Sequence, residues 1–140
     1  MRYAILSDIH ANLEALQAVL ARIAAVGADR VVCLGDLVGY NADPNECVDI
    51  VRRGGFTCIM GNHDAVACGL EEPHSFNPTA REAVLWTRTE LTAENGKFLR
   101  ELPRHLLIDG VLLCHGSIDD TNRYILDDSD VRDNFSLLEK

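Results

Sequence analysis

The chain has 140 residues, the length of one domain, and its 47% hydrophobic and 25% charged residues are typical of a soluble globular protein. No run of about 18 apolar residues is present, so a membrane-spanning helix is not expected. The start of the chain also lacks the basic and apolar segments of a secretory signal. Thirteen basic against 22 acidic residues give a net charge of −9, which argues against a nucleic-acid partner because DNA and RNA are polyanions.

The five cysteines are spaced without a C-x-x-C pair, at Cys33, Cys47, Cys58, Cys68 and Cys114. Three of them lie inside apolar runs, where a buried thiol behaves as a small hydrophobic side chain. This usage predicts reduced thiols in a cytoplasmic protein, rather than a disulfide framework or a zinc knuckle.

The first 60 residues predict strands and helices in alternation. The strands cover residues 3–6, 30–34 and 56–60, and the helices cover residues 13–26 and 44–53. Asn12 and Asp43 are the predicted N-caps, and Gly27 ends the first helix. The apolar run of the first strand predicts burial on both faces. Short links between alternating strands and helices indicate parallel pairing and therefore an α/β fold.

The second half of the chain predicts two helices, then a hairpin. The helices begin at Pro78 and after Thr92, and residues 65–73 before them are read as irregular. Apolar runs at 105–108 and 111–114 flank Asp109-Gly110, the dipeptide of a type I′ hairpin turn. From Ile118 onwards the sequence is acidic and weakly periodic, so no element is predicted there.

Polar clusters follow each of four predicted strands. They are Ser7-Asp8-Ile9-His10, Gly35-Asp36-Leu37-Val38-Gly39, Gly61-Asn62-His63-Asp64 and Cys114-His115-Gly116. Each cluster alone is explained by an ordinary turn or a surface histidine. Together they lie where ligands bind in α/β sheets, outside the carboxyl ends of the strands.

The side chains of these clusters form a donor set for divalent metals. Mixed oxygen and nitrogen ligands suit Mn²⁺, Fe²⁺, Zn²⁺ or Ni²⁺ better than Ca²⁺. A single zinc ion needs only three or four ligands. The five candidates therefore indicate two metal ions with a shared carboxylate, and they are Asp8, His10, Asp36, Asn62 and His115.

The ordered motifs D-x-H, G-D-x-x-G, G-N-H-D and a later histidine resemble the calcineurin-like metallophosphoesterase superfamily. The stretches GDLVGYNADPNECVDIVR and FNPTAREAVLWTRTEL are further similar to its compact prokaryotic branch, labelled phosphodiesterase-like or diadenosine-tetraphosphatase-like. The resemblance implies a four-layer α/β/β/α sandwich, of which residues 1–140 would be the N-terminal part of one metallophosphoesterase domain.

The resemblance also implies roles for individual residues. Asp8 and His10 would bind the first metal, Asn62 and His115 the second, and Asp36 both. His63 would stabilise or protonate the leaving oxygen, with Asp64 orienting its ring. Asn62 and His63 would contact the substrate. His74 is a further candidate for substrate contact that the resemblance does not imply, because its segment EEPHSFNP could lie over the site.

The implied activity is hydrolysis of a small phosphodiester or nucleotide by a hydroxide held between two cations. The G-H-x-H motif that closes the family's site is absent, which predicts that the domain is incomplete at its C-terminus. An incomplete sandwich would expose apolar sheet, so a homo-oligomer is an expected outcome. Two alternatives stay open: a non-catalytic binding scaffold, favoured by the missing motif, and a nuclease, disfavoured by the acidic charge.

Overall fold

A computed structural model describes residues 1–138 and forms five strands and six helices over that range. The strands are β1 (Tyr3–Leu6), β2 (Arg30–Cys33), β3 (Thr57–Cys58), β4 (Leu106–Ile108) and β5 (Val111–Leu113). The helices are α1 (Leu13–Val26), α2 (Pro44–Arg53), α3 (Asn62–Ala67), α4 (Pro78–Glu90), α5 (Ala93–Glu101) and α6 (Asp128–Ser136). The predicted α/β class is confirmed.

The first three strands form one parallel sheet in the order β1-β2-β3. Tyr3 pairs with Arg30 and Cys33 pairs with Cys58, so the strands run in step and their carboxyl ends meet at one edge. Parallel strands require crossovers, which α1 and α2 provide. The loops that follow β1 and β2 are therefore neighbours in space although they are almost 30 residues apart in sequence.

The main hydrophobic core lies between the sheet and the helices that follow it. Its fully buried members include Leu37, Val48, Val51, Val84 and Leu99, which come from the β2–α2 loop and from α2, α4 and α5. Burying side chains of this size contributes about 1.5–3 kcal/mol each, so this core holds the helices firmly against the sheet edge.

The hairpin β4–β5 packs beside the parallel sheet rather than joining it. Leu113 of β5 forms a second buried cluster with Val32 and Ile59. The turn residues Asp109 and Gly110 have φ angles of 48° and 80°, which confirms the predicted type I′ turn. This packing brings the end of β5 next to the ends of the parallel strands.

Two strand predictions differ from the structure. Ile5 of β1 is 63% exposed, so burial on both faces was wrong for this strand, which lies at the edge of the sheet. Of the predicted strand 56–60, only Thr57–Cys58 is paired as a strand. Beyond Cys58 the Ile59 nitrogen still donates to the Cys33 carbonyl of β2 at 3.0 Å, and the Met60 nitrogen donates to the Pro103 carbonyl at 2.8 Å.

Three helix predictions also need correction. The prediction of irregular structure from residue 65 was wrong at its start, since α3 continues to Ala67. Helix α6 was missed because its apolar periodicity is weak, although Asp127 caps it by accepting from the backbone nitrogens of Ser129 and Asp130. Asp43 precedes α2 as predicted, but within residues 1–138 its side chain makes no capping hydrogen bond.

The remaining compositional expectations concern the cysteines, membrane spans and association. All five cysteines are free, and four of them are buried. Among residues 1–138, no helix has both the length and the apolar character needed to cross a membrane. Exposed apolar side chains do occur on the hairpin, at Leu107, Val111 and Leu112, but self-association through them stays a prediction.

Candidate metal centre

Backbone hydrogen bonds join the loops that follow β1 and β2. The Asp8 nitrogen donates to the Gly35 carbonyl at 3.1 Å, and the His10 nitrogen donates to the Asp36 carbonyl at 2.9 Å. The Asn41 side chain donates to the His10 carbonyl at 2.8 Å. These bonds fix the D-x-H and G-D segments against each other, so their side chains are placed by backbone and not by side-chain packing alone.

The same two loops hold several side chains in strained backbone. Asp8, His10, Ala11, Asp36 and Tyr40 have φ angles of 56°, 48°, 55°, 53° and 63°. Non-glycine residues in this left-handed region cost about 1–3 kcal/mol each and cluster at functional sites. Of the six such residues within 1–138, five lie here. Most of this backbone strain therefore lies in the two loops that direct the site side chains.

One cavity of about 350 Å³ lies at the carboxyl edge of the sheet. It is lined by six of the eight predicted site residues, namely Asp8, His10, Asp36, Asn62, His63 and His115. Asp64 is fully buried beneath it. His74 is exposed and is not among the lining residues, so its predicted contact with substrate has no support from its position.

Asp36 is at the centre of the site. Its Oδ1 accepts from the His63 backbone nitrogen at 2.9 Å, which fixes the carboxylate plane. Its Oδ2 lies 3.7 Å from His10 Nε2 and 3.5 Å from His115 Nε2. His10 Nε2 is in turn 3.5 Å from Asp8 Oδ1. One carboxylate oxygen thus faces two separate groups of metal-ligating atoms.

Both histidines present Nε2 to Asp36 because Nδ1 is engaged by the backbone. His10 Nδ1 lies 3.1 Å from the Val38 carbonyl, and His115 Nδ1 lies 2.7 Å from the Leu34 carbonyl. A carbonyl can only accept, so each Nδ1 carries the proton and each Nε2 presents a lone pair. Metal-binding histidines are oriented by this kind of bond in most proteins.

Asn62 adds a further oxygen to the group around His115. Its Oδ1 lies 3.2 Å from His115 Nε2, but that nitrogen has no proton to donate in the tautomer set by Leu34. Two lone pairs therefore face each other beside the Asp36 carboxylate. A bound cation resolves such an arrangement, and the oxygen and nitrogen donors suit Mn²⁺, Fe²⁺, Zn²⁺ or Ni²⁺. The residues present fit the expected ions.

Two sets of three residues have ligand atoms that lie within 4.8 Å of one another: His10, Asp36 and His63, and Asp8, Asp36 and His115. Asp36 belongs to both sets, but neither set is one of the expected pairs, since the second joins Asp8 to His115. The first set includes His63, which the resemblance places at the substrate and not at a metal. The geometry therefore leaves two roles for this imidazole, and mutagenesis can distinguish them.

The His63 ring lies between aromatic neighbours. Its centroid is 4.8 Å from Tyr40, 4.5 Å from Phe76 and 4.8 Å from His10. Its Nδ1 is buried without a hydrogen-bond partner in residues 1–138 and packs against Gly39. Nε2 is then the nitrogen that can reach the cavity. Burial, together with the neighbouring His10 and His115, lowers the pKa of His63 to about 4, so the ring is neutral at pH 7.

Asp64 does not orient His63 in the way that was expected. Its Oδ1 accepts from the Val38 nitrogen at 3.2 Å, and its Oδ2 accepts from the Gly61 nitrogen at 3.1 Å. Within the described residues, the His63 ring makes no hydrogen bond to Asp64. The carboxylate instead joins the loop after β2 to the first turn of α3, which positions the backbone of His63 rather than its ring.

The two buried carboxyls have raised pKa values for the same main reason. Burial raises the pKa of Asp36 to about 7, and the charge of Asp8 adds to the rise. The hydrogen bond from the backbone N–H of His63 acts in the opposite direction and lowers this pKa. Burial likewise raises the pKa of Asp64, and the neighbouring Asp36 adds to it. Two carboxylates so close are costly to ionise together without a compensating cation. A bound metal ion would lower this cost, so the charge distribution of the site favours cation binding.

Gly61 allows the third loop to approach this carboxylate. A Cβ added at Gly61 would collide with the Oδ1 and backbone nitrogen of Asp36, and one added at Gly35 would collide with Gly61. Gly61 has φ −91° and ψ 173°, which any residue adopts. The glycine is therefore required by close approach and not by backbone conformation.

We expect Gly61→Ala to lower the free energy of unfolding by about 2–3 kcal/mol, because backbone or Asp36 must move to admit the methyl group. Chemical denaturation measures the change. Gly96→Ala is the matched control, since its added Cβ meets nothing within 4 Å in helix α5. That control should stabilise the chain by about 0.5–1 kcal/mol. Equal effects at the two glycines would contradict the close approach.

Several cavity-lining residues were not predicted from the sequence. Tyr40 flanks His10 and His63, while Asn122, Arg123 and Tyr124 come from the loop between β5 and α6. Tyr40 has a positive φ and comes directly after Gly39, so the extended motif G-D-x-x-G-Y is the sequence signal that could have indicated Tyr40 as a site residue. Nothing in the local sequence around 122–124 indicates a site, because these residues reach the cavity only through tertiary packing.

Comparison with known proteins explains this geometry. The family of calcineurin-like phosphoesterases matches residues 1–140, the whole chain. The chain belongs to the calcineurin-like phosphoesterase family. Membership accounts for the ordered motifs at four strand ends and for the α/β fold of this metallophosphoesterase type. It also supports phosphoester chemistry at the level of the family, without naming a substrate.

Individual relatives agree with the family assignment. An uncharacterized protein of Methanocaldococcus jannaschii is 48% identical over 100 residues, which are 71% of this chain and 41% of the relative. The crystal structure of a metallophosphoesterase from Sphaerobacter thermophilus is 39% identical with a TM-score of 0.82, over 97% of this chain and 56% of that one. A candidate diadenosine tetraphosphatase is 26% identical with a TM-score of 0.65, over 83% and 50% of the two chains.

A hypothetical protein from Pyrococcus horikoshii OT3 shares the fold alone. It is 21% identical with a TM-score of 0.84, over 99% of this chain and 65% of its own. Together these values show that the chain spans between 41% and 65% of the relatives' length. Over residues 1–138, the part of the fold present here comprises a three-stranded parallel sheet, a two-stranded hairpin and six helices.

Proposed function

We propose that this phosphoesterase uses two divalent metal ions to hydrolyse a small phosphodiester or nucleotide. The position of Asp36 carries the proposal, since its Oδ2 lies 3.7 Å and 3.5 Å from the Nε2 atoms of His10 and His115. A shared carboxylate between two lone-pair groups is the arrangement that binuclear centres use. Family membership supports the reaction class.

The residues divide the work as follows. Asp8 and His10 would hold one ion, Asn62 and His115 the other, and Asp36 both. When bound, such ions supply an activated water at neutral pH and neutralise charge on the phosphoryl oxygens. The backbone bonds to Val38 and Leu34 keep the two histidines in the metal-binding tautomer, so little rearrangement accompanies binding.

His63 would act on the leaving oxygen of the substrate. Its Nδ1 is buried without an acceptor, so we infer that the neutral ring carries its proton on Nε2, the nitrogen that can reach the cavity. An N–H there can donate a hydrogen bond that stabilises the oxygen on which negative charge grows. Tyr40 and Phe76 keep the ring in place and keep water from its buried edge.

The cavity supports a small substrate. Its volume of about 350 Å³ is at the low end for ligand pockets, and the guanidinium of the lining residue Arg123 is already paired with Asp130 and Asp133 of α6. The net charge of −9 and the shortage of cations around the cavity disfavour a nucleic-acid strand. Identification of the substrate rests on assays with defined phosphoesters.

The direct test is hydrolysis of bis(p-nitrophenyl) phosphate by the metal-free chain before and after addition of Mn²⁺. We expect turnover that requires Mn²⁺ and is lost again with EDTA. His105→Ala should leave the rate unchanged, because His105 is exposed at the start of the hairpin and does not line the cavity. Absence of turnover in the presence of tightly bound Mn²⁺ would contradict the proposal.

A binding scaffold without activity is the second candidate. Its support is that the chain has no G-H-x-H motif and no histidine after His115. Calorimetry showing metal binding, together with no hydrolysis of mono- or diesters, is the result that would favour this function.

A further inference from the structure

Asn122, in the loop between β5 and α6, contacts Asn62 at the candidate metal centre. Its Oδ1 accepts a hydrogen bond from Asn62 Nδ2 at 3.0 Å. Asn62 and Asn122 are 60 residues apart in sequence, and both line the cavity. The contact is therefore formed by the tertiary fold at the edge of the predicted site.

This bond determines which end of the Asn62 amide faces the metal site. An asparagine side chain has an oxygen that can bind a cation and an NH₂ group that cannot. With the NH₂ held by Asn122, the Asn62 Oδ1 is directed to within 3.2 Å of His115 Nε2. Rotation of the amide by 180° would replace the ligand oxygen with two N–H donors and would weaken ion binding.

The orientation of Asn122 is itself fixed by its neighbours. The Ser75 hydroxyl donates to the same Oδ1 at 3.4 Å, so two donors converge on that oxygen. The Asn122 backbone nitrogen donates to Asp120 Oδ1 at 2.8 Å, which holds the loop. Asn122 Oδ1 thus accepts from both neighbours, and a flipped Asn122 amide would point an N–H group at the Asn62 NH₂, which cannot accept.

We propose that Asn122 is a positioning residue for the second metal ion, acting by holding Asn62 with its oxygen toward that ion. The inference depends on the proposed function, because it assumes that Asn62 is a ligand. Outer residues that orient metal ligands typically change metal affinity by 10–100-fold. The effect of Asn122 should therefore appear in the affinity for one ion, before any measurement of hydrolysis.

The test uses calorimetric titration of the metal-free 140-residue chain with Mn²⁺. We expect the wild type to bind two ions and Asn122→Ala to bind one of them about 10-fold more weakly or worse, with the other within about 2-fold. Asn122→Asp retains an oxygen acceptor for Asn62 Nδ2, so it should bind both ions at least as tightly as the wild type. This rescue separates orientation from a general loss of structure.

Asn134→Ala is the matched control. Asn134 also lies near the C-terminus and anchors a loop, by accepting from the Ile118 nitrogen at 2.9 Å, but it does not line the metal cavity. Both affinities should survive this change. Circular dichroism checks folding, and Asn122→Ser, whose side chain is too short to reach Asn62, replaces Asn122→Ala if the latter does not fold.

Unchanged affinities in Asn122→Ala, or equal losses in Asn122→Ala and Asn134→Ala, would overturn the inference while leaving the proposed function intact. A wild-type chain that binds no Mn²⁺ would instead overturn the proposed function together with the inference. The two failures are distinguished by the first titration, which needs no variant.

Discussion

Asp36→Asn is expected to reduce Mn²⁺-dependent turnover by on the order of 10³-fold. The substitution leaves an oxygen to accept from the His63 nitrogen, so the loop after β2 can keep its shape. It removes the negative charge from the atom that faces both His10 and His115. Calorimetry should show weakened binding of both ions, since a shared ligand serves both.

The same substitution should stabilise the metal-free chain at alkaline pH. Burial raises the pKa of Asp36 to about 7, so the folded state binds its proton more tightly than the unfolded state. Protonated Asp36 therefore contributes to the free energy of unfolding at low pH, and this contribution is lost as the pH rises through about 7. We expect metal-free Asp36→Asn to melt roughly 4–8 °C above the wild type at pH 8, with the difference shrinking toward pH 5.

Asp49→Asn is the control for both measurements, because Asp49 pairs with Arg52 and Arg53 on α2 and does not line the cavity. It should keep turnover and metal affinity. Addition of Mn²⁺ at pH 8 should raise the melting temperature of the wild type and not of Asp36→Asn. Wild-type turnover retained in Asp36→Asn would contradict the central position assigned to this carboxylate.

His63→Ala is expected to lower kcat by about 10²–10³-fold while both ions still bind with nearly wild-type affinity. The reason is that the ring faces the cavity through Nε2 and is assigned to the leaving oxygen, not to a metal. Steady-state kinetics on bis(p-nitrophenyl) phosphate and Mn²⁺ titration measure the two quantities separately. His63→Gln, which keeps more of the buried volume, should show the same loss and guards against a cavity effect.

Loss of one ion in both His63 variants would give the opposite assignment. A ring nitrogen of His63 lies within 4.8 Å of the ligand atoms of His10 and Asp36. His63 would then be a metal ligand in place of Asp8, whose side chain is 56% exposed. A substrate with a better leaving group adds a further check. If His63 serves the leaving oxygen, its removal should matter less for an ester whose leaving group needs no proton.

The local elements were largely readable from the sequence because their signals are local. Asn12 caps α1 through its side chain as predicted, α4 begins at Pro78 and α5 after Thr92 as predicted, and Asp109-Gly110 forms the hairpin turn. Helix α6 was missed because apolar spacing was given more weight than the cap at Asp127. The length of β3 was overestimated because apolar character cannot say where pairing ends.

The sequence by itself determined the candidate ligands, their order and the family, since Asp8-x-His10, Asp36, Asn62-His63 and His115 follow successive strands. Only the tertiary structure decided which groups the side chains of Asp64 and Asn122 bond to. Asp64 stands next to His63 in sequence but bonds to the backbone of Val38 and Gly61, and Asn122 reaches Asn62 from 60 residues away. The physical reason is that a strand end fixes where a side chain emerges, whereas hydrogen-bond partners depend on which loops the packed core brings together.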